Sequence, residues 1–164
     1  MAALTAGTKA PDFSLATMGG GKFSLQDALR RGPVVAAFFK ISCPVCQYAF
    51  PFFERLHRAY GGNAPVVGIS QDNQRDTAAF VKEFGVTFTM LLDDAKGYAA
   101  SNAYGLTNVP TVFLIGQDGT IEVSSVGWNK ADFEEVSRKL AAMQQTPLPV
   151  LFTPGEDVRD FRAG

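Results

Sequence analysis

The sequence predicts a single α/β domain with a central mixed sheet flanked by helices. Two observations indicate this class. Short β-prone apolar runs alternate along the chain with segments whose apolar residues recur at helical spacing, the pattern of successive βαβ units. The chain has 164 residues, 46% of them apolar, which suffices for one well-formed core. Because no linker interrupts residues 1–145, we assign these to the domain and residues 146–164 to an extended C-terminal tail.

The first half of the chain carries the strongest local signals. Residues 13–32, FSLATMGGGKFSLQDALRRG, predict a glycine-turned hairpin that leads into a short helix. Residues 33–39, PVVAAFF, form a continuous apolar run typical of a strand buried on both faces. The segment after residue 46 carries apolar residues at helical spacing and stops at Gly61, which predicts a helix.

The second half continues the alternation. Apolar runs predict strands, helical spacing followed by glycine predicts helices, and GQDG between two β-rich runs predicts a hairpin. The predicted elements are a strand over 64–70, a helix over 74–85, an extended run over 86–94, a helix over 95–105, a hairpin over 108–128 and a last helix over 130–143.

Charge and composition exclude several classes of function. Fifteen basic and sixteen acidic residues give a net charge of −1, with no run of Lys or Arg, so nucleic acid and acidic membrane surfaces are not expected partners. The longest apolar stretch, residues 33–39, is too short to span a bilayer. The start of the chain shows no signal peptide, which predicts a cytoplasmic protein unless an export signal has been removed. The sequence gives no indication of the oligomeric state.

The two cysteines, Cys43 and Cys46, are the only thiols and stand three positions apart. A structural zinc site normally needs four Cys or His ligands, and His57 is the single histidine. A structural disulfide closing so short a ring would stabilise the fold by only about 2 kcal/mol. A redox-active pair is therefore the preferred interpretation.

The position of the pair supports this chemistry. Pro44 suits the first position of a helix, which makes Cys43 the capping residue and puts Cys46 one turn inside. The partial positive charge and free amides of a helix N-terminus favour a thiolate on Cys43. We therefore expect Cys43 to be the attacking sulfur and Cys46 the resolving one.

The order of strand, Cys-Pro-Val-Cys helix, strand and then Val-Pro-Thr before a hairpin and a last helix resembles the thioredoxin fold. The opening GTKAPDFSL and residues 66–115 resemble the redoxin branch, the AhpC/TSA superfamily, and within it TlpA- and ResA-like thiol-disulfide oxidoreductases. The resemblance implies a βα insertion before a cis proline at Pro110 and a helix kinked at Pro51. It also implies that Val109, Pro110 and Thr111 bind an extended substrate, with protein thiols or disulfides as partners and no metal or organic cofactor.

The same resemblance leaves two other classes open. Peroxiredoxins read Pro-x-x-x-Thr-x-x-Cys at the peroxide-reactive cysteine. With Cys46 in that role the Pro and Thr positions hold Phe39 and Cys43, and with Cys43 they hold Ala36 and Lys40. A peroxidase without the usual peroxide pocket and a non-catalytic interaction domain thus remain alternatives to the oxidoreductase.

The groups around the pair depart from the pattern of the family. Thioredoxins hold a buried aspartate where this chain has Ala37, and the ResA-like acid falls near Asn73 with Asp72 beside it, so the proton acceptor of Cys46 stays unassigned. Lys40 either favours the thiolate or is a solvated residue at the strand end.

Trp128, the only tryptophan, follows the second strand of the hairpin. In the thioredoxin fold this loop borders the groove beside the cis proline, so Trp128 is expected on the rim, in contact with substrate. The alternative is a buried core aromatic.

The tail contains more large apolar residues than a disordered segment usually does. Proline-flanked residues around 148–152 predict an extended chain. We expect residues 148–153 to be ordered against a protein body, with Leu151, Phe152 and Phe161 as apolar anchors.

Overall fold

A computed structural model describes residues 2–94 and 97–164. Its helices are α1 (Leu25–Leu29), α2 (Pro44–Tyr60), α3 (Gln74–Phe84), α4 (Ala99–Ala103) and α5 (Lys130–Gln144). Its strands are β1 (Ser14–Thr17), β2 (Lys22–Ser24), β3 (Val34–Phe39), β4 (Val66–Ser70), β5 (Thr89–Leu92), β6 (Thr111–Ile115), β7 (Ile121–Val126), β8 (Trp128–Asn129) and β9 (Phe161–Arg162). The first two residues of the helix predicted over 95–105 lie outside the described residues, and α4 occupies only Ala99–Ala103 of the remainder.

The central sheet is mixed, as predicted. Seven strands lie in the order β2-β1-β5-β4-β3-β6-β7. Strand β3 pairs parallel with β4 and antiparallel with β6, and β4 pairs parallel with β5. The N-terminal hairpin extends the sheet through the antiparallel pair β1 and β5. No helix of the described ranges is both long and apolar enough to cross a membrane.

Strand β3 lies at the centre of the core, and all six of its residues are buried. Successive side chains of a strand point to opposite faces of the sheet. Val35, Ala37 and Phe39 accordingly belong to the core layer that includes residues of α2, α3 and α5, while the other three residues of β3 contribute to the opposite layer. The carboxyl end of this buried strand leads directly into the turn that carries Cys43.

The tail packs on the domain through two of its three expected anchors. Leu151 and Phe152 contact the core, and the ring of Phe152 lies 5.6 Å from that of Phe52 and 5.5 Å from that of Phe133. The expectation for Phe161 was wrong, since its side chain is 57% exposed. Leu148 and Val150 also point away from the protein, because an extended chain turns only some of its side chains toward one surface.

One ion pair fastens the tail to α2. Arg55 donates to both carboxylate oxygens of Glu156, at 2.7 Å each, and its Nη1 also donates to the carbonyl oxygen of Leu151 at 2.9 Å. These hydrogen bonds from Arg55, together with that from the Thr153 amide, lower the pKa of Glu156 from 4.5 to about 2.

This ion pair makes attachment of the tail sensitive to acid. A carboxylate whose pKa is lowered by folding stabilises the folded state above its unfolded pKa, and this contribution is lost as the pH falls through the folded value. The stabilisation therefore declines below pH 4.5, and we expect the NMR shifts of the tail amides to change with a midpoint near pH 2, where Glu156 of the folded protein takes up a proton. In Glu156→Gln this transition should be absent, and a transition that persists unchanged would assign it to another group.

Candidate active site

The end of β3 and the start of α2 form a tight turn that places both cysteines. Cys43 caps α2 with an extended backbone, and Pro44 occupies the first helical position, as predicted. The amide of Cys46 donates to the Cys43 sulfur at 3.2 Å. This bond and the helix N-terminus stabilise negative charge on Cys43.

The Cys43 thiol also contacts a loop that lies far away in the sequence. Its sulfur donates to the carbonyl oxygen of Val109 at 3.3 Å. The Val109–Pro110 peptide bond is cis, which confirms the prediction for this bond. The loop before β6 and the cap of α2 therefore form one surface with Cys43 between them.

The two cysteines differ in accessibility and acidity. Cys43 is partly exposed, whereas Cys46 is fully buried. Burial, followed by the hydrogen bond with Cys43, raises the pKa of the Cys46 thiol well above its ordinary value. An external sulfur can thus reach Cys43, and Cys46 stays protonated in the dithiol form.

Asp72 is a site residue whose contacts sequence reasoning missed. Its Oδ2 accepts a hydrogen bond from the Ile41 amide at 2.8 Å, while Gln47 donates to the Ile41 carbonyl at 2.9 Å. Its negative charge also contributes, after burial and Cys43, to the raised pKa of Cys46. The neighbouring Asn73 instead caps α3, accepting from the Asp76 amide. The position of Asp72 beside the turn could have been inferred only from the topology. Strands β3 and β4 are parallel, so the residues that follow them lie at the same edge of the sheet.

Several other predicted site residues occupy clear positions. Lys40 is exposed, in keeping with the solvated interpretation. Pro51 lies inside α2, where it removes one backbone donor. Thr111 is fully buried and donates to the Asn108 carbonyl at 2.8 Å. The expected contact of Thr111 with substrate stays a prediction, and its side chain supports the loop in this structure.

Trp128 is not on the rim, which corrects the prediction. It is 1% exposed, its ring stacks on Phe52 at 4.8 Å, and its Nε1 donates to the Arg159 carbonyl at 2.7 Å. The tail segment that includes Arg159 covers the indole. Trp128 consequently cannot contact a partner while the tail is in place.

The geometry can be set beside known proteins. A model of the AhpC/TSA family matches residues 6–124. The thioredoxin-like protein YneN of Bacillus subtilis (strain 168) is 33% identical over 125 residues, 74% of this chain and 71% of that protein. The thiol-disulfide oxidoreductase ResA of Geobacillus kaustophilus (strain HTA426) is 28% identical over 145 residues, 87% of this chain and 80% of the relative. A candidate DsbE thiol:disulfide interchange protein from Chlorobium tepidum superposes with a TM-score of 0.75 at 30% identity, covering 85% of this chain and 98% of its own.

Proposed function

This chain belongs to the AhpC/TSA family and is a thiol-disulfide oxidoreductase, and we propose that Cys43 is its attacking sulfur and Cys46 its resolving sulfur. The observation that carries these roles is the difference between the two thiols. Cys43 is accessible and its sulfur accepts a hydrogen bond from the Cys46 amide, while Cys46 is buried and the pKa of its thiol is raised. Attack from outside is therefore possible on Cys43 alone.

The exchange proceeds in two balanced steps. The Cys43 thiolate attacks one sulfur of a partner disulfide, the partner S–S bond breaks, and a mixed disulfide forms while the leaving sulfur takes up a proton. Cys46 then loses its proton and attacks the Cys43 sulfur, which forms the Cys43–Cys46 disulfide and releases the second partner thiol. Two electrons and two protons pass to the partner, and the reverse sequence oxidises a dithiol.

The partner is proposed to be a protein segment in extended conformation. Val109 is half-buried and turns its carbonyl oxygen toward Cys43, so that its backbone lies beside the sulfur. An extended strand could pair with such a backbone, and main-chain pairing of this kind accepts many sequences. Val109 and Pro110 are thus the proposed binding residues of the loop.

The peroxidase alternative has less support. The contacts described for the Cys43 sulfur are the Cys46 amide and the Val109 carbonyl. Ala36 and Lys40 stand where a peroxidase of this superfamily would carry the proline and threonine of its peroxide pocket. Of the two contacts described for the Cys43 sulfur, only the Cys46 amide can donate a hydrogen bond to a leaving oxygen.

The test compares two oxidants on the reduced protein. With a disulfide-bonded peptide we expect the Cys43–Cys46 disulfide and two peptide thiols to appear at least about 100-fold faster than with free cysteine, because Cys43 is accessible at a helix N-terminus and Cys46 lies one turn away to complete the exchange. With hydrogen peroxide the rate should stay within about tenfold of that of free cysteine. If the rate relative to free cysteine were larger with hydrogen peroxide than with the peptide, the peroxidase would be favoured. Failure of the peptide to react would contradict the proposed function.

A further inference from the structure

The end of the tail lies against the loop that we propose binds substrate. Strand β9 pairs antiparallel with β8, with Arg162 opposite Trp128 and Phe161 opposite Asn129. Two residues further on, the carbonyl oxygen of Gly164 accepts a hydrogen bond from Asn108 Nδ2 at 3.0 Å. The tail therefore reaches the residue directly before Val109.

Gly164 is packed so closely there that only glycine fits. A methyl group on its α-carbon would collide with the carbonyl oxygen of Val109 and would come within 3.4 Å of the α-carbon of Gly127. The same Val109 oxygen accepts the hydrogen bond from the Cys43 thiol. Gly164 thus fills the space between the cis-proline loop and Gly127, next to the proposed attacking sulfur.

We propose that residues 161–164 form an intramolecular cover over the substrate site, which a partner polypeptide must displace before its disulfide reaches Cys43. The inference rests on the proposed function for the identity of the site. The cover lies on backbone that an extended partner would use, because it already pairs with β8 as a strand and abuts the Val109 carbonyl. A small disulfide needs little of this surface.

The part of the tail before residue 161 and the cover itself are attached by separate contacts, so residues 161–164 can detach while the rest stays bound. Upstream of the cover, Glu156 is bound by Arg55, the Arg159 carbonyl accepts from Trp128, and the Arg159 amide donates to the Tyr48 hydroxyl at 3.0 Å. The cover itself has a two-residue strand, the bond from Asn108, and an Arg162 guanidinium 5.0 Å from the Tyr48 ring centre. Displacement of 161–164 would leave the upstream anchors intact.

Two variants remove the cover in different ways. Gly164→Ala should expel the end of the tail by steric collision, and a chain that stops after Asp160 lacks the cover altogether. Gly62→Ala is the matched control, because a methyl group there meets nothing within 4 Å. All three keep Cys43, Cys46 and the upstream anchors.

The expected result is selective for large substrates. If the cover is closed about 90% of the time, its loss raises the second-order rate constant with a disulfide-bonded peptide about tenfold. With a small aromatic disulfide the change should stay below about twofold, since the closed state obstructs it little. Gly62→Ala should match the unmodified protein with both substrates.

Hydrogen exchange supplies a readout independent of activity. Gly164→Ala should accelerate exchange in residues 127–130 and 160–164 and leave residues 34–39 unchanged. Equal peptide rates in all variants, or an unchanged exchange pattern in Gly164→Ala, would overturn the cover while leaving the proposed function intact. If no variant reacted with any disulfide the proposed function would fail, and the exchange pattern would still decide whether the end of the tail is displaced.

Discussion

Cys46→Ser is expected to accumulate a covalent adduct between Cys43 and a disulfide substrate, whereas Cys43→Ser should form none. Cys43 is the accessible sulfur at the cap of α2, and Cys46, buried one turn inside the helix, is the sulfur that we propose releases the mixed disulfide. Without the resolving thiol, the first step proceeds and the second stops. We expect turnover to fall by at least about a thousandfold in either variant, since neither retains an intramolecular route to the product disulfide.

Mass spectrometry distinguishes the roles directly. The Cys46→Ser protein, mixed with an oxidised peptide, should gain the mass of one peptide chain, and digestion should map that mass to Cys43. Dithiothreitol should remove it. The Cys43→Ser,Cys46→Ser double variant sets the background. An adduct that maps mainly to Cys46 in the Cys43→Ser protein would reverse our assignment of the two sulfurs.

Local patterns were sufficient for most of the framework. The apolar run over 33–39 predicts a strand buried on both faces, and β3 is buried along its whole length. Such a strand can be recognised from the sequence because burial on both faces leaves no position for a polar side chain. Pro44 and the spacing of the cysteines predicted the cap of α2 for an equally local reason, the missing amide of proline. Gly85 ends α3 in a left-handed conformation, as its position suggested.

What the sequence did not predict depends on distant contacts. Trp128 is buried among aromatic side chains of the domain, and its Nε1 donates to the Arg159 carbonyl, far along the chain. Asp72 reaches the active-site turn through the pairing of β3 with β4, which no spacing in the sequence reports. Phe161 is apolar yet exposed, because the backbone of β9 rather than its side chain attaches the tail. Apolar content alone could not reveal that attachment.

Truncation after Thr146 should lower the melting temperature by several degrees. The deletion removes the Leu151 and Phe152 contacts with the core, the ion pair of Arg55 with Glu156, and the cover over Trp128. Full burial of a large apolar side chain stabilises the folded state by about 1.5–3 kcal/mol, and Leu151 and Phe152 are only partly buried. We therefore expect the free energy of unfolding to fall by about 3 kcal/mol. In a chain of this size each kcal/mol shifts the melting temperature by about 2–4 °C, which gives a decrease of roughly 6–12 °C.

The chain that stops after Asp160 is the control that separates the two parts of the tail. It keeps Leu151, Phe152 and the bond between Trp128 and Arg159, so its melting temperature should fall by less than about 2 °C. Indole fluorescence gives a second measure, because loss of the whole tail exposes Trp128 to water and should shift its emission to longer wavelength. If the protein truncated after Thr146 melts at the unchanged temperature, with the same emission and the same amide exchange in the domain, the tail contributes nothing to the fold and its contacts with α2 are energetically neutral.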